Sequence, residues 1–182
     1  YYYMARHSYF YNGIFYGLMS ILLVGCQSAT IRHTSDSYLL VPGVNVGIVS
    51  IGAYRQKALN VLGKSISSFG DGDQYANYIV HYTKDKVSEI IVTSDKFQTA
   101  EGISIISNEN QFLNAYENVK RICYKDSGAS STTTGTVYDA IDLGIALDKS
   151  VFEGQGREFI STITIHATGV PAAIYGEVTL CK

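Results

Sequence analysis

The sequence predicts an α+β fold in which two α-β-β units form one mostly antiparallel sheet with helices on one face, completed by a C-terminal strand. Three observations carry this expectation. A short apolar segment, Gly47-Ile48-Val49-Ser50-Ile51-Gly52, is echoed by Gly102-Ile103-Ser104-Ile105-Ile106-Ser107, and self-similarity within a chain marks a repeated structural unit. Each copy leads into a helical pattern and then into two strand-like runs, recognised by their sequence periods. The links between the paired runs are short, which suits hairpins and antiparallel pairing, with the helices packed on one side.

In the first unit Tyr54, Ala58, Val61 and Leu62 share one helix face, and Gly63 stands where a left-handed cap would end the helix. Strands are expected at Tyr75 to Tyr82 and Val87 to Thr93, joined by Thr83-Lys84-Asp85-Lys86. In the second unit Phe112, Leu113, Tyr116 and Val119 form the helix face. Ser107 is the expected N-cap, because its hydroxyl can accept from an exposed amide of the first turn. Val137 to Leu147 and Phe159 to His166 take the strand places. Asp126 to Gly135, rich in Ser, Thr and Gly, reads as an inserted mobile loop, and Asp148 to Glu158 as a second one. After Pro171, the run Ala172 to Cys181 puts Ala172, Ile174, Gly176, Val178 and Leu180 on one strand face. The domain is thus 46–182, with repeats at about 46–98 and 101–168 and a final strand at 172–181.

Ahead of the domain, Gln27 to Pro42 is polar and rich in Ser and Thr, with Tyr38-Leu39-Leu40-Val41 interrupting it. Residues 26–45 read as a tether whose end packs onto the domain, and Pro42-Gly43 as the turn into it. Further upstream the pattern is that of an export signal over 1–25. Arg6 and His7 follow Met4, and Ile14 to Val24 form an apolar stretch of 11 residues. A bilayer-spanning helix needs about 20. Small Gly25 then precedes Cys26. An uncleaved short anchor or a buried helix with an incidental cysteine is the alternative for these residues. Tyr1-Tyr2-Tyr3 have no role in this scheme and read as an upstream extension.

Leu23-Val24-Gly25-Cys26 resembles the lipobox of bacterial lipoproteins. The resemblance implies a diacylglyceryl group on the Cys26 thiol, cleavage after Gly25, acylation of the new amine and anchoring in a membrane. Two or more acyl chains hold stably where one is marginal. Gln27, not aspartate, follows the cysteine, which by the same resemblance implies sorting to the outer membrane, facing the periplasm. The repeat also resembles the helix–hairpin unit of the SmpA/BamE family of small outer-membrane lipoproteins, whose tandem copies build the β-lactamase-inhibitor-protein fold. Ile48, Ile51-Gly52, Leu62-Gly63, Val87 and Ile90 carry this in the first unit, and Gly102-Ile103, Ile105 and Ile163 in the second. The second unit lacks the Leu-Gly helix ending. The resemblance implies a non-catalytic envelope protein that binds another protein.

Composition narrows the partners. Of 14 Lys and Arg, Arg6 lies in the leader, leaving 13 against 16 acidic residues. Without a basic patch to neutralise phosphates, nucleic acid is not an expected partner. With Cys26 assigned to lipid, Cys123 and Cys181 remain; outside the cytoplasm they can form a disulfide, or stay as two buried thiols. The 15 tyrosines suit half-buried strands and wet interfaces. Tyr75, Tyr78, Tyr82, Tyr138 and Tyr175 are the candidate interface on a solvent-facing sheet surface, against the plainer reading of strand residues that pack their rings.

No catalytic constellation emerges, so neither an enzyme nor a cofactor is expected. His7, His33, His81 and His166 lack metal-site spacing. His81 and His166 fall on expected strands, as solvent-facing or half-buried residues or, less simply, as a metal or pH-sensing pair. Gly70-Asp71-Gly72-Asp73 lacks the further ligands of a calcium loop and reads as a turn. Gly154-Gln155-Gly156-Arg157 lacks the third glycine of a dinucleotide fingerprint. Cys123 near His166 could form a nucleophile pair, but pairing with Cys181 is simpler. The leading expectation is a lipid-anchored envelope binding or assembly module. Two alternatives are an enzyme or small-ligand binder with a pocket lined by Asp139, Asp142, Glu153 or His166, and an inhibitor or immunity-type protein.

Overall fold

Alternation of apolar and polar residues builds the centre of the fold, a hairpin of β6 (Tyr78–Thr83) and β7 (Lys86–Val92). Val80, Ile90 and Val92 are fully buried on one face. Lys84 and Asp85 both have positive φ, 51° and 61°, the two-residue turn that matches strand twist. The computed structural model describes residues 36–128, 131–153 and 157–181. The leader, Cys26, His33 and the first half of the tether lie outside them. Thr34–Lys182 forms one compact unit. Among the described residues no helix is long and apolar enough to cross a membrane.

The fold is mixed α+β and mostly antiparallel. In chain order the elements are β1 (Leu39–Val41), β2 (Asn45–Val46), β3 (Val49–Ser50), α1 (Arg55–Leu62), β4 (Ser67–Phe69), β5 (Gly72–Gln74), β6, β7, β8 (Gln98–Thr99), α2 (Glu109–Ala115), β9 (Lys120–Ser127), β10 (Thr132–Ala140), β11 (Ile145–Glu153), β12 (Arg157–His166) and β13 (Glu177–Thr179). They form two sheets instead of one. The larger has nine strands in the order β13-β9-β10-β11-β12-β7-β6-β5-β4, and the smaller has four, β3-β2-β1-β8. Every pair in the large sheet is antiparallel. In the small one β1 and β8 run parallel.

The main core lies on one face of the large sheet. It joins Tyr138 and Ala140 of β10, Ile145 and Leu147 of β11, and Ile163 and Ile165 of β12 to Ala58 of α1, Phe112 of α2 and Leu40, Val46 and Val49 of the small sheet. Leu40 is thus core, so the end of the tether packs into the domain. Pro42-Gly43 makes the turn after β1: Gly43 has φ 70° and the Val44 amide bonds to Val41 at 3.0 Å, the Pro-Gly order of a type II turn.

α1 ends at Gly63 with φ 75°, where glycine is unstrained. Only part of its expected face is covered: Tyr54 and Val61 are exposed while Ala58 is buried. α2 begins one residue later than expected. Asn108, not Ser107, is the cap; its side chain accepts from the Gln111 amide and the Gln111 side chain accepts from the Asn108 amide, a reciprocal capping box. The Ser107 hydroxyl instead accepts from Ser104 N at 3.0 Å. Tyr138 ties β10 to α2 through its hydroxyl, which donates to Glu109. The two echoed segments differ in structure. The first contains β3, whereas the second is a turn and loop in which Ile103 is buried and Ile106 exposed.

The second half departs most from expectation. Val137 to Leu147 is not one strand but the end of β10, a turn at 141–144 and the start of β11. Gly144 has φ 76°, and a Cβ there would lie 2.4 Å from the His166 carbonyl oxygen and 2.7 Å from Gly43 Cα. The backbone passes too close for any side chain, so the apolar run must break here. Asp126 to Gly135 is largely strand: β9 reaches Ser127 and β10 starts at Thr132. Strand β9 had no clear apolar alternation. The run 172–181 contributes only β13, which pairs with β9; Val178 and Leu180 are exposed while Ala172 is buried.

Candidate functional site

Residues 171–176 run as an irregular strap across the second face of the large sheet. Alternation along β10 and β11 sends Val137 and Ala146 to that face, where they join Tyr124 and Ala172, with Ile122 and Ile174 against them. Two backbone amides of the strap are held by carboxylates. Ala172 N donates to Asp139 Oδ2 at 3.0 Å, and Ala173 N donates to Glu89 Oε2 at 3.4 Å. Downstream, Cys123 of β9 and Cys181 form a disulfide with Cα atoms 5.2 Å apart. Cys123 is therefore not a free thiol available to His166.

Asp139 and His166 sit side by side under the strap. His166 Nε2 lies 3.0 Å from Asp139 Oδ1 and its Nδ1 3.1 Å from the Ala167 carbonyl. Both residues are buried, at 0% and 2% exposure. Burial alone would lower the His166 pKa, but the hydrogen bond and charge of Asp139, the Ala167 carbonyl and the Glu89 charge together raise it above the ordinary value. Of the four residues expected to line a pocket, the fold thus joins Asp139 and His166. Asp142 and Glu153 are exposed at the two ends of the β10–β11–β12 meander.

Between strap and sheet lies a partly enclosed cavity of ≈ 70 Å³. Glu89, Asp148, Tyr124, Thr162 and Thr164 supply its polar lining, and Ile91, Val137 and Ile174 much of its apolar lining. Burial pushes the Glu89 carboxyl up to about 7, with the Ala173 amide and His166 charge acting in the other direction. Burial pushes Asp148 up to about 6, opposed by the hydrogen bond from Tyr124. The Tyr124 hydroxyl donates to Asp148 Oδ2 at 3.0 Å and is itself raised to about 12 by burial and the Asp148 charge. Tyr124 is positioned by Gly135, its cross-strand neighbour. A Cβ at Gly135 would fall 2.6 Å from the Tyr124 ring. Gly135→Val should displace that ring from Asp148 and lower stability by about 1–3 kcal/mol, despite the strand preference of valine. Thermal unfolding checks this, and an unchanged midpoint would refute it.

These shifts set a pH dependence. Glu89 and Asp148 stay protonated in the fold at pH values where the unfolded chain has ionised them, so the folded state holds more protons and stability falls as pH rises. The windows run from the ordinary values, 4.5 and 3.8, to about 7 and about 6. His166 has the same sign: its contribution is full below 6.5 and is lost as pH rises through its raised pKa. The domain should be more stable at about pH 5 than at about pH 8, by about 3 kcal/mol. Urea midpoints at the two values test this, and Glu89→Gln should flatten the slope. A rising slope would contradict it.

The five tyrosines do not gather on one wet face. Tyr75, Tyr82 and Tyr138 are buried in the main core, with Tyr78 packed against it. Tyr175 alone is exposed, at 57%, on the strap. Their rings fill the sheet face that the helices and small sheet cover, so the plainer packing role applies to those four. His81 is also buried; its ring stacks near Tyr175 with centroids 5.9 Å apart, and its Nδ1 is 3.5 Å from Asp71, a charge neighbour too distant for a good hydrogen bond. His81 and His166 thus have separate partners. Of the expected turn Gly70-Asp71-Gly72-Asp73 only the first two residues are turn; Asp73 lies on β5 and is buried. It takes both bonds of Arg55, at 3.0 and 3.1 Å, and one from Ser68 at 2.6 Å.

Sequence reasoning passed over Glu89 and Asp148. Glu89 stands as a lone acid in Val87-Ser88-Glu89-Ile90-Ile91-Val92, a signal that alternation alone assigns to solvent. Comparison of the chain with known protein families, with curated proteins and with solved structures gives no match.

Proposed function

We propose that this chain is a bacterial envelope lipoprotein, anchored through lipid on Cys26 and sorted to the outer membrane, whose domain is a non-catalytic binding or assembly module for another envelope protein. The Cys123–Cys181 disulfide is the observation that supports export, because such bonds persist in oxidising compartments. The order of Arg6, the apolar stretch, Gly25 and Cys26 supports the anchor. In this reading α1-β6-β7 and α2 with the β10–β12 strands are two related α-β-β units. Feeding cells a fatty-acid probe should label the wild-type chain and not Cys26→Ser, and the labelled chain should fractionate with membranes. Soluble, unlabelled protein would sink the proposal. Affinity capture of the lipidated chain from native membranes then identifies its partner.

The cavity under the strap favours a second reading, a small-ligand binder. Its carboxyls are buried, its walls are partly apolar, and the strap that covers it is held by few bonds.

A further inference from the structure

We propose that the cavity beneath the strap binds a small alkylammonium group, its ammonium at Glu89 and its methylene groups directed toward Asp148. The inference rests on the ligand-binding reading above and is independent of the lipid anchor.

Glu89 is 93% buried by its 7% exposure, and its Oε1 has no hydrogen-bond partner among the described residues. A buried acceptor without a donor is costly, and in native proteins such an atom usually marks an absent partner. Asp148, at another part of the lining, receives a bond from Tyr124. Among the described residues no Lys or Arg lines the cavity; the positive charge that acts on Glu89 is that of His166, which lies outside the lining. A guest that carries N–H donors would supply the missing partner of Oε1, and a positive charge on it would suit two carboxyls in one lining. The rings of Tyr124 and Tyr175 also line the space, and aromatic rings attract cations.

The register places the two carboxyls apart. Glu89 of β7 is level with His166 of β12, whereas Asp148 of β11 is level with Thr162. Strand spacing and rise put their backbones about 16 Å apart. They cannot converge on one ion as the six to eight oxygens of a calcium site do. Among the described residues no three His, Cys, Asp or Glu side chains are grouped to hold a metal. Between the carboxyls lie Ile91, Thr164 and Ile174, which suit methylene groups. At ≈ 70 Å³ the space is far below the roughly 300–1,000 Å³ of drug-sized pockets, so the guest is small. A free amine or the end of a partner's lysine side chain offers the same chemistry.

The test uses the full chain in detergent with its disulfide intact, observed through the methyl signals of Ile91, Thr164 and Ile174. Butylamine or Nα-acetyl-lysinamide should shift these signals saturably, and the tighter of the two identifies the free or the protein-borne source. At about pH 8, where the Glu89 carboxyl is ionised, Glu89→Gln should weaken binding about tenfold, the equivalent of one modest charge contact. The change is close in shape and should fold, as its amide spectrum will show; Asp148→Asn, at the far end of the alkyl chain, gives an independent second variant that should weaken binding less. Equal shifts from butanol or butyrate, or binding unchanged in both variants, would overturn the ammonium assignment while leaving the cavity a ligand site. No methyl shift with any probe at about 100 mM would overturn both.

Discussion

Replacing Cys123 and Cys181 together by serine is expected to destabilise the domain by about 4 kcal/mol, since the bridge closes a long loop and restricts the unfolded chain. The sequence separation is 58 residues. The bond also fastens the end of the chain to β9, beside β13, a strand of three residues with all its side chains exposed. Such a short, exposed edge strand has little burial of its own to hold it. Loss of the bridge should therefore loosen β13 first and the strap next. Urea unfolding of oxidised wild type against the double variant gives the magnitude. Hydrogen exchange should show the amides of β13 and of Ala172 and Ala173 losing protection ahead of those in β6 and β7. A midpoint within experimental error of wild type would show that the strap holds without the bond.

Asp139→Ala is expected to cost about 3–5 kcal/mol, the range for removing one partner of a buried charged pair. Asp139 has two roles at once. It bonds His166 at 3.0 Å and accepts the Ala172 amide at 3.0 Å, so truncation leaves two buried donors or charges without a partner. Asp139→Asn keeps the shape and one possible acceptor and should cost less. A structural role alone would lower the unfolding midpoint. The specific role predicts in addition that the His166 pKa falls, because burial then acts without the carboxylate that opposes it. NMR titration of the imidazole reads this directly, and an unmoved or higher pKa would refute the pairing. The two losses should not simply add, since Asp139 and the disulfide restrain the same strap.

The hairpin β6–β7 was legible because Tyr78, Val80 and Tyr82 alternate with Ile79 and His81, and a short polar turn leads into a second apolar run. The helix at Arg55–Leu62 was legible through Gly63, and the antiparallel character through the short links. Local signals misled where two of them competed. Ser107 and Asn108 are both good caps, and Gln111 decided between them by completing the box on Asn108. Ile141-Asp142-Leu143-Gly144 continues an apolar run, yet the approach of Gly43 and the His166 carbonyl forces a turn there. The Thr-rich stretch from Thr132 reads as loop on composition but becomes strand because β9 and β11 pair with it on both sides.

Linear order accounts for the α+β class, the antiparallel hairpins and the two cysteines available to pair, because each depends on neighbours a few residues away or on counting. The site depends on distance in space. Alternation divides Glu89 and Ile90 between two faces but is blind to what lies over either. The sequence leaves the tyrosines between a wet interface and ring packing, and the helices and small sheet cover Tyr75, Tyr78, Tyr82 and Tyr138 while Tyr175 stays exposed. Glu89, Asp139 and His166 lie on strands, and the strap covers them. Covering is a long-range event, fixed by the Ala172 and Ala173 amides and the Cys123–Cys181 bond. That covering removes the water from Glu89 and turns an ordinary surface carboxylate into a buried acid.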